Sequence, residues 1–234
     1  MSSSASSAIG APLHIRPLLN SLHKLSLDQE AALKKDKESK RFVSSDAAES
    51  ADFDTLMRDK FIALDEDKCQ FLYQLLRAKG ATTVVEAGTS FGVSTIYLAL
   101  AVGRNASALG KEGRVIATEK EDEKAEKART YWKECGESVE AFVDLRVGDL
   151  LETLKKDVND VDLLLLDIWS PLALPTLKLV QPNMKPGAVV VTDNTVVSAE
   201  GYKELLEYLY TPNSPFTNVT LPYTGGLMMS VYYP

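Results

Sequence analysis

The chain has 234 residues, 45% of them hydrophobic and 25% charged, with a net charge of −7 at neutral pH. That length suggests one large domain or two small ones and is ample for a buried core, and the composition is that of a globular chain rather than a disordered one. The acidic balance argues against sequence-independent binding of nucleic acid, which rests on clustered Lys and Arg.

No apolar run reaches the roughly 18 residues of a membrane-spanning helix. The opening MSSSASSAIG has neither the charged nor the apolar region of a secretory signal. Arg16 and Lys24 are the basic residues of an acid-free stretch over 1–27, which is thin support for a transit peptide. Cys69 and Cys135 form no CxxC, so free thiols in a reducing compartment are expected, and with them a cytoplasmic location. The two histidines, His14 and His23, stand near the N-terminus, ahead of any recognisable core, which disfavours a zinc cage or a Cys–His nucleophile.

Residues 1–12 are rich in Ser and Ala and are expected to be a disordered tail. From Leu13 to about Lys40 the pattern is helical, with Leu18, Leu22 and Leu25 as its apolar face. A polar, acidic connection over 44–55 follows. Phe71, Leu72, Leu75 and Leu76 mark a helix over about 66–78 that Gly80 ends. The next segments alternate: strands over 82–88, 113–119, 141–147, 161–167 and 187–193, separated by helices. The helix over 121–135 shows an inner face only through Ala125, Ala128 and Trp132. Continuous apolar strands such as VDLLLLD mean a parallel sheet covered on both faces. After a helix over about 199–210, FTNVTLPY and LMMSVYY are joined by a short turn at Thr224-Gly225-Gly226, which suits only antiparallel neighbours.

The strand ends carry the chemistry. Glu86-Ala87-Gly88-Thr89-Ser90-Phe91-Gly92 is a GxxxG turn with a carboxylate two residues before its first glycine. A phosphate-binding turn disfavours that acid, whereas a ligand bearing an ammonium group favours it. Glu119 ends the second strand, where an acid can accept hydrogen bonds from ribose hydroxyls; a helix N-terminal acid is the alternative. Asp149 follows the third strand, either beside an adenine or as a simple N-cap. Asp167 and Asp193-Asn194 end the fourth and fifth strands and form a hard-oxygen set suited to Mg²⁺, with separate loop caps as the alternative.

In DEDKCQFL (65–72), VVEAGTSFGVSTIYLA (84–99), VIATE (115–119), VGDLLETL (147–154), VDLLLLDIW (161–169), PGAVVVTDN (186–194) and GGLMMSVY (225–232), the chain resembles class I S-adenosylmethionine-dependent O-methyltransferases of the catechol and caffeoyl-CoA type. The resemblance covers residues 65–234. It implies an α/β, Rossmann-like class I methyltransferase fold: a mostly parallel seven-stranded sheet with a C-terminal antiparallel hairpin and helices on both faces. The domain would span 64–234, with 13–63 as an N-terminal helical lid segment.

The resemblance also implies roles. Glu86 and Ser94 would hold the amino and carboxylate ends of the methionine part of the cofactor, with Leu64 lending a backbone group and Gly88 lying under it. Glu119 would take the ribose hydroxyls, and Asp149 with Leu150 would flank the adenine. Asp167, close to the sulfonium, would join Asp193 and Asn194 as ligands of Mg²⁺ or a similar divalent cation. The expected activity is O-methylation of a small phenolic or enolic metabolite, metal-assisted, in a chain for which the resemblance implies a homodimer and which has no nucleic-acid or membrane partner. Two positions depart from the pattern: Gly225 replaces the acidic turn residue often found just before Gly226, and Ser170 stands where the resemblance calls for a catalytic Lys, although a serine of ordinary pKa cannot remove a phenolic proton. A catalytically impaired binding or regulatory partner is therefore the second reading. An NAD-dependent oxidoreductase is the third, against which the lack of a GxGxxG turn speaks. His23 is a surrogate-base candidate weighed against a plain helix-surface histidine.

Overall fold

The computed structural model describes residues 8–35 and 60–234. In chain order the elements are α1 (Ile15–Lys35), α2 (Glu66–Lys79), β1 (Thr83–Ala87), α3 (Val93–Leu109), β2 (Arg114–Glu119), α4 (Asp122–Cys135), a short α5 (Glu137–Glu140) and β3 (Val143–Val147). They continue with α6 (Leu150–Thr153), β4 (Val161–Leu166), α7 (Ala173–Val180), β5 (Met184–Asp193), α8 (Lys203–Tyr210), β6 (Phe216–Leu221) and β7 (Leu227–Tyr232). The seven strands form one sheet in the order β3-β2-β1-β4-β5-β7-β6. The strands β1 to β5 are parallel, while β7 runs antiparallel to both β5 and β6. The doubly covered parallel sheet and its C-terminal hairpin are thus as the sequence predicts.

The apolar runs divide their side chains between two cores with the period of two that a strand imposes. Leu163, Leu165, Val189 and Val191 enter the core beneath α1 to α4. Leu164, Leu166, Val190 and Met228 enter the other, beneath α7 and α8. Both sets are almost wholly buried, which is why neither face tolerates a polar alternation. Strand order reverses between β1 and β4, whose neighbours run outward in opposite directions. Loops at the carboxyl ends of these two strands therefore part and leave a crevice between them.

Helix α2 ends at Gly80, whose φ of 64° turns the chain so that the Ala81 N–H reaches back to the Leu76 carbonyl at 3.1 Å. Helix α4 buries Ala125, Ala128 and Trp132, and Cys135 joins that face. The α1 stripe has a different phase from the predicted one: Ile15, Leu19, Leu22 and Ser26 are buried, while Leu25 is exposed. His23 fixes this phase by meeting the Tyr97 hydroxyl at 2.9 Å. The predicted helix region 36–40 and the connection over 44–55 lie outside the described residues.

The N-terminal segment departs from the expected tail. Residues 1–7 lie outside the described residues, but 8–12 pack on the domain. Ile9 and Ala11 are buried, the Gly10 N–H donates to the Tyr73 hydroxyl, and the Gln74 amide donates to the Ala8 carbonyl. Composition alone missed this because two small apolar residues suffice when the surface beneath them is already shaped. Both cysteines are buried free thiols. No helix among the described residues is long and apolar enough to cross a membrane.

Candidate active site

The crevice at the switch point is lined by Leu64, Gly88, Ser90, Phe91, Ser94 and Asp167, among others. It thus gathers four of the residues picked out in the sequence: Leu64, Gly88, Ser94 and Asp167. A roomier groove of about 470 Å³ runs past Arg77, Leu100 and Arg104, away from the strand ends. Its two guanidiniums are already engaged, by the Asn105 side chain and the Gly10 carbonyl, and it holds none of the strand-end acids. Chemistry, not size, singles out the crevice.

Gly88 follows β1 with φ of 93°. A Cβ there would come within 2.0 Å of the Asp167 carbonyl oxygen, so the glycine is required by the close approach of two strand ends. Gly92, with φ of 75°, starts α3 against the indole of Trp132, which donates to the Gly92 carbonyl at 3.0 Å. Between the two glycines the loop folds over Glu119, whose Oε2 accepts the Ser90 N–H at 2.7 Å. Its Oε1 accepts the N–H groups of Lys120 and Glu121, both at 2.8 Å. Burial pushes the Glu119 carboxyl up, against the pull of these N–H donors and of Lys124.

Glu86 is fully buried on the face shared with Val84. Its carboxylate accepts hydroxyl bonds from Ser94 at 2.6 Å, Thr95 at 2.5 Å and Thr89 at 2.9 Å. Burial still pushes the group above its ordinary range. Three of the carboxylate's roughly four acceptor positions are thus taken in pinning the turn to the start of α3, and the Ser94 hydroxyl proton goes to Glu86. What Ser94 offers the crevice is a place in the first turn of a 17-residue helix, where backbone N–H groups lack intrahelical partners.

Asp149 accepts the Leu151 N–H at 2.9 Å and caps α6, the cap reading given for it above. Asp149 and Leu150 stand after β3, the edge strand, beside β2 and its Glu119 but outside the crevice lining. Ser170 starts a single 3₁₀ turn and packs so closely on Gly201 that a Cβ there would overlap its Oγ. His23 is buried against Tyr97, and burial lowers its pKa, against the nearby Glu66 and Asp65.

The strand-end acids form one cluster. Burial, followed by the charges of Asp193 and Glu86, pushes Asp167 up to about 8. Burial also raises Asp193, against a cation that the sequence reading did not assign. This is Lys68, in the first turn of α2, with a side chain only 2% exposed. Its ammonium lies 2.7 Å from Asp193 Oδ1 and 2.9 Å from Asp65 Oδ2. The other Asp193 oxygen accepts the Asn194 side-chain N–H at 3.0 Å. Asn194 itself has φ of 58°, and its Oδ1 points at Gly225, where a Cβ would come within 2.3 Å of it.

A parallel sheet with a C-terminal antiparallel hairpin and a glycine-turn crevice at the switch point define a Rossmann-like class I methyltransferase fold. Comparison with known proteins finds the chain similar to methyltransferases, several of them O-methyltransferases. Residues 85–195 match the family described as a methyltransferase domain. A catechol O-methyltransferase of Mycobacterium tuberculosis is 32% identical over 136 residues, which span 58% of this chain and 58% of that relative. The match thus runs over somewhat more than half of either protein. The O-methyltransferase of Bacillus cereus, solved in complex with SAH, superposes with a TM-score of 0.64 at 18% identity, covering 91% of this chain and 100% of that one. TomG of Streptomyces achromogenes, an O-methyltransferase solved with SAM, gives 0.65 at 22% identity, covering 91% and 99%. At these identities the likeness to the solved structures is one of fold.

Proposed function

We propose that this chain is an S-adenosylmethionine-dependent O-methyltransferase acting on a small phenolic or enolic acceptor. The observation that carries this reading is the crevice itself, which brings Leu64, Gly88, Ser94 and Asp167 together at the switch point, with Glu119 bonded to its loop. The methyltransferase-domain match over these strands and the catechol O-methyltransferase relative support it.

When bound, S-adenosylmethionine supplies a methyl group already activated by its sulfonium charge. In the proposed arrangement the first turn of α3 receives the carboxylate of the cofactor, Glu119 keeps lone pairs for the ribose hydroxyls, and Asp149 with Leu150 flanks the adenine. Asp167 faces the positive charge. The protein's part is then largely positioning: aligning an acceptor oxygen with the methyl group in a site that excludes water. The S–C bond breaks, an O–C bond forms, and the acceptor loses its proton. Ser170 is no base, and its packing on Gly201 confines it further. An acceptor acidic enough to ionise without a dedicated base suits such a site, which is the argument for a phenol or an enol.

The divalent cation implied by the resemblance does not fit the residues as they stand. Lys68 holds one oxygen of Asp193, Asn194 donates to the other, and the Asn194 oxygen is turned to Gly225. We further read α1 and residues 60–64 as a lid. Ser26 Oγ accepts the Ala63 N–H at 2.9 Å, Gln29 accepts the Phe61 N–H at 2.7 Å, and Phe61 stacks on Phe91 at 4.5 Å beside the crevice. Part of the lid predicted over 13–63, residues 36–59, lies outside the described residues. Calorimetry with S-adenosylhomocysteine, followed by a cofactor-turnover assay against catechols, phenols and enols, tests the reading. Absence of cofactor binding would overturn it, and turnover only with amine or thiol acceptors would overturn the acceptor class.

A further inference from the structure

Lysine is rarely buried without a partner, because withdrawing an ammonium from water costs far more than burying its methylenes gains. Lys68 is nonetheless almost wholly enclosed. Its position follows from helix geometry: Asp65 is the N-cap residue of α2 and Lys68 stands three residues on, so both side chains lie on the same face at the start of the helix. That face abuts the carboxyl end of β5, where Asp193 waits at 2.7 Å. The contact with Asp193 Oδ1 is an ion pair lacking hydrogen-bond alignment, and the contact with Asp65 Oδ2 is 2.9 Å. The ammonium thus sits between two carboxylates supplied by different elements, within the field of a third, Asp167.

A small divalent cation on Asp193 would have to share this space with an ammonium. Two positive centres a few ångströms apart in a poorly solvated site repel strongly. The lysine would have to withdraw, leaving its charge in the interior or carrying α2 with it.

We propose that the Lys68 ammonium is the resident cation of these strand ends: it takes the place on Asp193 that the resemblance gives to a divalent metal and ties β5 to the start of α2. Building on the O-methyltransferase reading, methyl transfer by this chain then needs no added metal. Lys68 is a positioning residue in this scheme. It holds Asp193 and Asp65 in register with the crevice wall and touches neither acceptor nor cofactor.

The test is a Mn²⁺ titration of the full chain followed by electron paramagnetic resonance, which reads metal binding without reference to turnover. The wild type is expected to bind no Mn²⁺ below about 1 mM. Lys68→Met, which keeps the side-chain length and loses the charge, should bind at least tenfold more tightly, and Lys68→Arg should behave as the wild type. Sub-millimolar binding by the wild type that is lost in Asp193→Asn would overturn the proposal, as would a Lys68→Met variant that is folded yet gains no affinity. Should Lys68→Met not fold, the wild-type and Asp193→Asn titrations decide alone. With an active acceptor in hand, the wild-type rate should be unchanged by exhaustive chelation, and a tenfold loss restored by Mg²⁺ would count against the idea. Failure to bind S-adenosylhomocysteine would sink the O-methyltransferase reading and leave the metal titration to stand by itself.

Discussion

Gly88→Ala is the substitution whose consequence follows most directly from the geometry. A Cβ at this position would lie 2.0 Å from the carbonyl oxygen of Asp167 and 2.6 Å from Ile168 Cγ2. The first of these is backbone and cannot rotate away, so β1 and β4 must part at their carboxyl ends. The residue also has φ of 93°, a region disfavoured for L-residues by about 1–2 kcal/mol. Overpacking in a close-packed interior adds about 1–3 kcal/mol. Gly110→Ala separates the two contributions, since Gly110 has φ of 61° but nothing within 4 Å of its Cβ. At roughly 2–4 °C per kcal/mol for a chain of this size, Gly110→Ala should lower Tm by a few degrees and Gly88→Ala by on the order of 10 °C. Thermal unfolding monitored by circular dichroism measures both. Equal shifts would refute the close-approach argument and return Gly88 to the role of an ordinary turn glycine. Cofactor affinity should fall in Gly88→Ala and hold in Gly110→Ala.

Glu86 carries a pH signature. Burial raises its folded-state pKa above the ordinary value of 4.5, so the folded state holds its proton longer than the unfolded state does. This contribution to stability is fully present below pH 4.5 and declines as pH rises toward the folded-state value. In Glu86→Gln that decline should vanish, so urea unfolding at pH 4.5 and pH 7 should show the variant gaining on the wild type at the higher pH. A pH-independent difference between the two would contradict the assignment. For the lid, a Ser26→Ala/Gln29→Ala double variant loses the hydrogen bonds that anchor Ala63 and Phe61. Stopped-flow release of S-adenosylhomocysteine should quicken severalfold, and an unchanged release rate would remove residues 60–64 from the gate.

Much of this was legible in the sequence because strands buried on both faces leave a record that helices do not blur. VDLLLLD admits no other reading, and the short turn at Gly225-Gly226 forces an antiparallel pair onto a parallel sheet. The phase of α1 was not legible. Leu18-Leu22-Leu25 and Ile15-Leu19-Leu22 are both helical stripes sharing Leu22, and only docking, through His23 on Tyr97, chooses between them. Glu86 was rightly placed at the strand end, but its three hydroxyl partners lie at Thr89, Ser94 and Thr95, on the far side of a turn whose path the sequence does not specify. Lys68 was hidden for a plainer reason. In DEDKCQFL it reads as one charge in the solvated start of a helix, and its partner Asp193 stands at the end of a strand far along the chain.

The lysine bears on how the crevice would receive a cationic cofactor. Asp65 and Asp193 share one positive charge, and among the described residues Asp167, on the crevice wall, has no ion-pair partner of its own. Its carboxyl is pushed up to about 8 by burial and by the charges of Asp193 and Glu86, which favours the protonated form near neutral pH. A sulfonium placed beside it favours the ionised form and expels that proton. S-adenosylmethionine should therefore bind with proton release at pH 7, and uncharged-sulfur S-adenosylhomocysteine without it. Calorimetry in buffers of different ionisation enthalpy reads the difference directly. In Asp167→Asn the release should disappear, and S-adenosylmethionine should lose its affinity relative to S-adenosylhomocysteine by about tenfold or more, the scale of one opposite-charge contact at partial burial. A divalent ion bridging Asp167 and Asp193 would ionise Asp167 beforehand and abolish the proton release, so the same titration weighs the resident lysine against a resident metal.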